Sequence, residues 1–242
     1  MWTRSSPPSR RSVLPARPVG LEAPTYAFLM NSMLEEFLPT ERVPKSIGSA
    51  RLLLRQYRTS DAESLAELLA ISYKDHLAPW SPPGMEREAE RSGGRRAARE
   101  HILVALDKWE DGSDYRFFIT LRETGELVGQ MGLTQIIRGV SHSCFIGYWI
   151  GLPFVHRGYA TEALVLAMEF AFDVLKLHRV SLWIATGNEV SLKIPARLGL
   201  RFEGTALRGL FLGSQWHDTH IFAMTSEEWN ERKAELKSQF AP

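Results

Sequence analysis

Residues 154–161, FVHRGYAT, set a glycine between a strand-like run, CFIGYWIGLP, and a helix-like run, EALVLAMEFAFDVLKL. A helix beginning there exposes backbone N–H groups with no partner in the helix, at the positive end of its dipole. Such groups bind anions, and phosphates in particular. Gly158 takes the Cβ off the path of an incoming diphosphate, and Ala160 keeps the next approach open. His156 and Arg157 add positive charge. The glycine-lysine pattern of a P-loop is missing, and so are the three spaced glycines of a dinucleotide-binding turn. A plain turn would use the same residue types, so other parts of the chain must decide. A second helix start follows in GNEVS, where Asn188 or Ser191 can serve as an ordinary N-cap. If Ser191 caps, Pro195 falls in the first turn, where its missing N–H costs little; if Asn188 caps, the proline is interior and should kink the helix. Two neighbouring parallel strands, each leading into a helix, would bring both helix starts to one edge of a sheet, where α/β folds bind ligands.

The elements that must position these groups are legible from residue 50 onward. Residues 50–58 read as a strand, followed by a helix capped by Thr59 or Ser60 with Leu65, Leu68, Leu69 and Ser72 on one face. A Pro-rich loop, 76–84, carries Trp80. Ile102, Leu103, Leu106 and Trp109 mark the buried stripe of the next helix, which Gly112 ends. ETGE joins two apolar runs as a hairpin, and 142–151 is a further strand. Residues 158–176 are helical, with Ala163, Ala167, Phe170, Ala171 and Val174 on the core face. A strand at 178–186, a short helix at 188–200 and two strands around LGSQ follow, and then a polar helix capped by Ser226. This order gives an α+β fold with a mixed, mainly antiparallel sheet and at least one right-handed β-α-β crossover, at 144–186. Trp183 and Phe202 are expected in the core.

Composition excludes several function classes. The 242 residues are 44% apolar and 24% charged with a net charge of +1, which does not suit bulk nucleic-acid binding. No run approaches the roughly 20 apolar residues that span a bilayer. One cysteine, Cys144, rules out an internal disulfide, fits a reducing compartment and reads as a small buried hydrophobe. Residues 1–45 begin with a basic, Pro-, Arg- and Ser-rich stretch that cannot bury enough apolar surface to order itself. They are read as a disordered extension to a single domain at 46–242, with a targeting segment or a later start at Met30 or Met33 as alternatives.

IGYWIGLPFVHRGYATEALVLAMEFAF, LHRVSLWIATGNEVSLKIPARLGLRFEG and GSQWHD together resemble the GCN5-related N-acetyltransferase (GNAT) superfamily, and within it the Rim-type group that acetylates N-terminal amines of ribosomal proteins. The resemblance runs from about Arg51 to Trp229 and includes the APW of the Pro-rich loop. It implies helices on both faces of the sheet and a V-shaped gap between two central parallel strands, Phe145–Gly151 and Val180–Ala185, holding acetyl-CoA as co-substrate. It also implies pyrophosphate binding by the N–H groups of Val155, His156, Arg157, Gly158, Tyr159 and Ala160. Asn188 would bond the pantetheine arm, and Ser191 would protonate the leaving thiolate. Val155 departs from the family pattern [QR]-x-x-G-x-[GA], at a position that acts largely through its main chain.

Acetyl transfer needs a neutral amine, a polarised thioester carbonyl and a proton for sulfur. An α-amine, at a pKa of about 7.7–8.0, needs only a modest base, whereas a lysine near 10.4 needs more help. A strand N–H near Trp149 or Ile150 can polarise the carbonyl. The candidate bases are Glu162, Asp218 and His217. Glu162 reads more readily as a first-turn acid or structural pair, and Asp218 equally as an amine ligand or a strand-ordering group. Trp80 either lines the acceptor pocket or plugs the core, and of Tyr148 and Trp149 one should face the core and one the cleft. No metal motif is present. The expected activity is cytoplasmic acetylation of a peptide or protein N-terminus, by a monomer or homodimer. A small-amine acetyltransferase and a non-catalytic acyl-CoA sensor are the alternatives.

Overall fold

A computed structural model describes residues 43–90 and 93–240. The extension at 1–42 lies outside the described residues. An eight-stranded sheet runs in the order β1-β2-β3-β4-β5-β6-β8-β7. Its strands are β1 (Ser46–Gly48), β2 (Leu52–Gln56), β3 (Tyr115–Leu121), β4 (Leu127–Ile137), β5 (Ser143–Ile150), β6 (Arg179–Ala185), β7 (Arg201–Leu212) and β8 (Gln215–Thr225). Neighbours pair antiparallel, except β5 with β6. The helices are α1 (Ala62–Ser72), the one-turn α2 (Met85–Glu88), α3 (Gly94–Glu110), α4 (Tyr159–Glu169), α5 (Glu189–Arg197) and α6 (Ser226–Ser238).

The core is aromatic at its centre. Trp109 meets Tyr115 and Phe117 edge-on at 5.0 and 4.9 Å, and Phe117 meets Phe170 at 4.9 Å. Each such side chain, fully buried, contributes about 1.5–3 kcal/mol. α4 is buried on every side from Thr161 to Met168, not along one stripe, because α6 covers the flank that the sheet leaves open. Trp229 of α6 is fully buried and stacks on Phe172 at 5.7 Å. Lys233 and Asp173 pair across the same seam at 3.1 Å. The cap of α6 is Thr225, not Ser226: its hydroxyl accepts from the Glu228 N–H while Glu228 returns a bond to the Thr225 N–H.

Two packing expectations change. The buried stripe of α3 is Ala98, Ile102, Ala105 and Trp109, and Leu103 is 42% exposed. Small alanines let α3 lie close, and a reading weighted by side-chain size passes over them. Phe202 is 53% exposed, because β7 is the edge of the sheet and its face is not covered there. Trp183 is half-buried and packs edge-on against Phe145 at 5.4 Å.

Candidate functional site

β5 and β6 stay together for only three residue pairs, Ser143–Arg179, Cys144–Val180 and Phe145–Ser181. Beyond Phe145 they separate into the V-shaped gap. The Gly151 N–H bonds to the Val128 carbonyl at 2.8 Å, which fixes the phase of the β4–β5 ladder. In an antiparallel pair the bonding direction alternates. The backbone groups of Ile146, Tyr148 and Ile150 therefore point away from β4 and into the gap, and those of Trp149 are used by β4. Ile150, not Trp149, is the residue whose N–H the gap can use.

The chain then turns through Leu152–Phe154 into the start of α4. Gly158 occupies the N-cap at φ +77°, and no side chain caps the helix. His156 is also left-handed, at φ +62°. The bend aims the first N–H groups of α4 outward with no partner from a side chain. Arg51 buttresses this loop: it donates to the Arg157 carbonyl at 3.3 Å, sits over the Tyr159 ring and pairs with Glu162. Val155 packs its side chain against the core, an apolar role that explains its departure from a polar residue.

A cavity of about 1110 Å³ fills the gap and extends over the sheet toward α2 and α3. Ile150, Val155, His156, Gly158, Tyr159, Ala160, Asn188 and Ser191 all line it, as do Trp80 and Tyr148. Arg157 does not: its guanidinium folds back over Phe154 and onto the Pro153 carbonyl. Tyr148 and Trp149, although on opposite faces of β5, both line the cavity, because it passes through the sheet where β6 leaves. Trp80 stands at the rim, its ring 5.7 Å from that of His217.

Asn188 caps α5, its Oδ1 accepting from the Ser191 N–H at 3.2 Å. That bond fixes the amide and leaves both Nδ2 hydrogens for the cavity. Pro195 is accordingly interior to α5. The Ser191 hydroxyl is free of capping duty and lies beside the buried Tyr148 Oη, which forms no well-shaped hydrogen bond of its own. Burial drives the Tyr148 phenol far above its ordinary value, and Ser191 partly opposes this.

The cavity lining includes none of the three candidate bases. Glu162 accepts from Ser49 Oγ at 2.5 Å and from Arg51 Nε at 2.8 Å, as a structural pair. Asp218 is exposed and accepts from the Arg208 N–H at 2.8 Å, ordering an irregularity in β7. His217 Nε2 meets the Leu212 carbonyl at 3.1 Å. Sequence reasoning missed a different group that does line the cavity: Tyr57, Glu88, His101 and Arg116. They come from four separate stretches of the chain, so no local spacing marks them. Cys144 is buried, and burial pushes its thiol up.

Comparison with known proteins agrees with this geometry. Residues 51–201 match the family described as "Acetyltransferase (GNAT) domain". The uS5-alanine N-acetyltransferase of Escherichia coli is 30% identical over 188 residues, covering 77% of this chain and 94% of that protein. A protein of Bacillus subtilis named as a putative ribosomal N-acetyltransferase is 31% identical over 75% of this chain and 95% of its own length. The solved structure of Mycobacterium smegmatis RimJ in complex with CoA-disulfide superposes with a TM-score of 0.74 at 26% identity, covering 81% of this chain and 94% of that one. The chain belongs to the GNAT family, and it is an N-acetyltransferase similar to the ribosomal-protein acetyltransferases.

Proposed function

We propose that the protein transfers the acetyl group of acetyl-CoA to the α-amine of a protein N-terminus. The observation that carries this reading is the alignment of two sets of unused backbone donors, the gap-facing N–H groups of β5 and the uncapped start of α4. They suit, in order, an acyl-pantetheine arm lying as an extra strand and the diphosphate beyond it. The N–H groups of 155–160 hold the pyrophosphate, and the Asn188 Nδ2 holds the arm. The Ile150 N–H polarises the thioester carbonyl as charge develops on it. Ser191 donates a proton to the departing sulfide.

The lining also bears on the acceptor. Arg87, Lys108, Arg116, Lys193 and Arg197 outnumber Glu88 and Glu100, a balance that disfavours a polyamine. An α-amine is partly neutral at pH 7, so the site need supply only a modest base. Identity to the uS5-alanine enzyme over most of both chains supports the same acceptor class. The lone buried thiol suits work in a reducing cytoplasm.

The test is thiol release from acetyl-CoA with N-terminal peptides, spermidine and aminoglycosides as acceptors. Turnover confined to peptides is expected. Turnover confined to small amines would replace the acceptor, and binding of acetyl-CoA without turnover on any acceptor would leave a sensor.

A further inference from the structure

Arg116 on β3, Gly132 on β4 and Gly147 on β5 form one cross-strand row on one face of the sheet. A Cβ on Gly147 would meet nothing within 4 Å, and one on Gly132 would meet Thr134, Arg116 and Gly147 atoms only at ordinary contact distances of 3.5, 3.6 and 3.9 Å. The row is thus a trough floored by bare backbone. It runs across two strand spacings, about 10 Å, from β5 to Arg116. Gln130 and Trp149 wall it on one side, tied by a Trp149 Nε1 to Gln130 Oε1 bond of 3.0 Å.

At the far end His101 of α3 holds its Nδ1 3.3 Å from the Glu88 carboxylate. The carboxylate only accepts, so the tautomer that suits this contact has its proton on Nδ1 and a lone pair on Nε2. His101 Nε2 is buried without a partner, and so are Arg116 Nε and Gln130 Nε2 beside the same trough. The other groups around His101 are accounted for. Tyr57 stacks on it at 5.9 Å, and burial first of all holds that phenol far above its ordinary value, opposed by Arg116 and reinforced by Glu88. Glu100 and Lys108 of α3 line the cavity, as does His76. Glu63 of α1 pairs with Arg95, and Asp61 pairs with Arg55.

We propose that His101, positioned by Glu88 at the end of the glycine-floored trough, takes the proton from the acceptor amine. This rests on the acetyltransferase reading above. The acceptor ammonium loses one proton to His101 Nε2 through water in the trough. The neutral nitrogen bonds to the acetyl carbon, the carbon–sulfur bond breaks, and the second amine proton ends on sulfur. His101 is then the catalytic base and Glu88 a positioning residue.

Steady-state peptide acetylation, together with direct acetyl-CoA binding, tests this. His101→Gln should lower kcat/KM for the peptide about 100-fold or more while acetyl-CoA affinity holds within twofold. Glu88→Gln frees the imidazole from its fixed orientation, so kcat for the peptide should fall severalfold while acetyl-CoA affinity is unchanged. His101→Gln keeping half of wild-type kcat/KM with normal acetyl-CoA binding would overturn the proposal. Should His101→Gln fail to fold, an unchanged peptide kcat in Glu88→Gln would overturn it alone. Wild type failing to bind acetyl-CoA would instead defeat the functional reading beneath it.

Discussion

Gly158 separates two costs that one substitution usually confounds. At φ +77° any side chain is strained, yet a Cβ there meets only an Arg51 nitrogen at 3.7 Å. Gly158→Ala should cost about 1–2 kcal/mol of stability, and acetyl-CoA should still bind. Gly158→Asp adds a negative charge on the diphosphate path and should abolish binding by calorimetry; unchanged affinity would refute the loop's role. The two residues of GNEVS divide in the same way. Asn188→Ala removes the cap of α5, costing about 1 kcal/mol, and weakens acetyl-CoA binding. Ser191→Ala should leave the melting temperature unchanged and lower kcat more than affinity; equal losses would make Ser191 structural. The sequence named this loop and both helix starts because each is a run of a few adjacent residues. Glu162 shows the limit: its position after the loop was plain, but not that Ser49 and Arg51, over 100 residues away in sequence, would occupy its oxygens.

The β7–β8 hairpin reaches well beyond its own strands. Its turn takes positive φ at both Gly213 and Ser214, the twist that suits a two-residue hairpin loop. The Gly213 N–H bonds to the Ser81 carbonyl at 3.0 Å, and a Cβ there would strike the Pro79 carbonyl at 2.7 Å. The hairpin tip thus clasps the APW turn and holds Trp80 over the cavity. Gly213→Val should raise KM for the acceptor severalfold with acetyl-CoA affinity unchanged; steady-state kinetics with both substrates varied checks it. At the root of the hairpin, Arg179 of β6 reaches past β8 to Glu203 of β7 at 2.9 Å, and Arg201 joins at 3.0 Å. The Glu203 carboxyl falls from 4.5 to about 2, chiefly through Arg179. A depressed carboxyl stabilises above its unfolded value and loses that contribution as pH drops through the folded one. Glu203→Gln should therefore melt lower than wild type at pH 7, and the difference should shrink between pH 4.5 and 2. A difference constant over that range would remove Glu203 from the stability of the hairpin.

Over the described residues, the succession of elements from residue 50 and the β-α-β crossover could be read from apolar runs and turn residues. Burial was harder to read. The stripe of α3 uses alanines, Phe202 lies on an edge strand, and α4 is enclosed by a helix that joins it from the far end of the chain. The cavity was legible at its phosphate end, which is local, and illegible at its trough, which three strands and two helices assemble. Since acetyl-CoA would bridge β5 and β6, its binding should stabilise the fold. At 100 times its Kd the gain is about 2.7 kcal/mol. A melting shift of roughly 5–10 °C follows. No shift at saturation would mean that the gap does not take the ligand.

The brief pairing of β5 with β6 also bears on solubility. Sheets ordinarily leave unpaired backbone only at their outer edges, where charges or bulges keep other chains from adding on. Here two strand edges without a strand partner face each other inside the sheet, across the cavity. A co-substrate that occupies the missing strand would serve a second purpose, closing a template on which another extended chain could otherwise assemble.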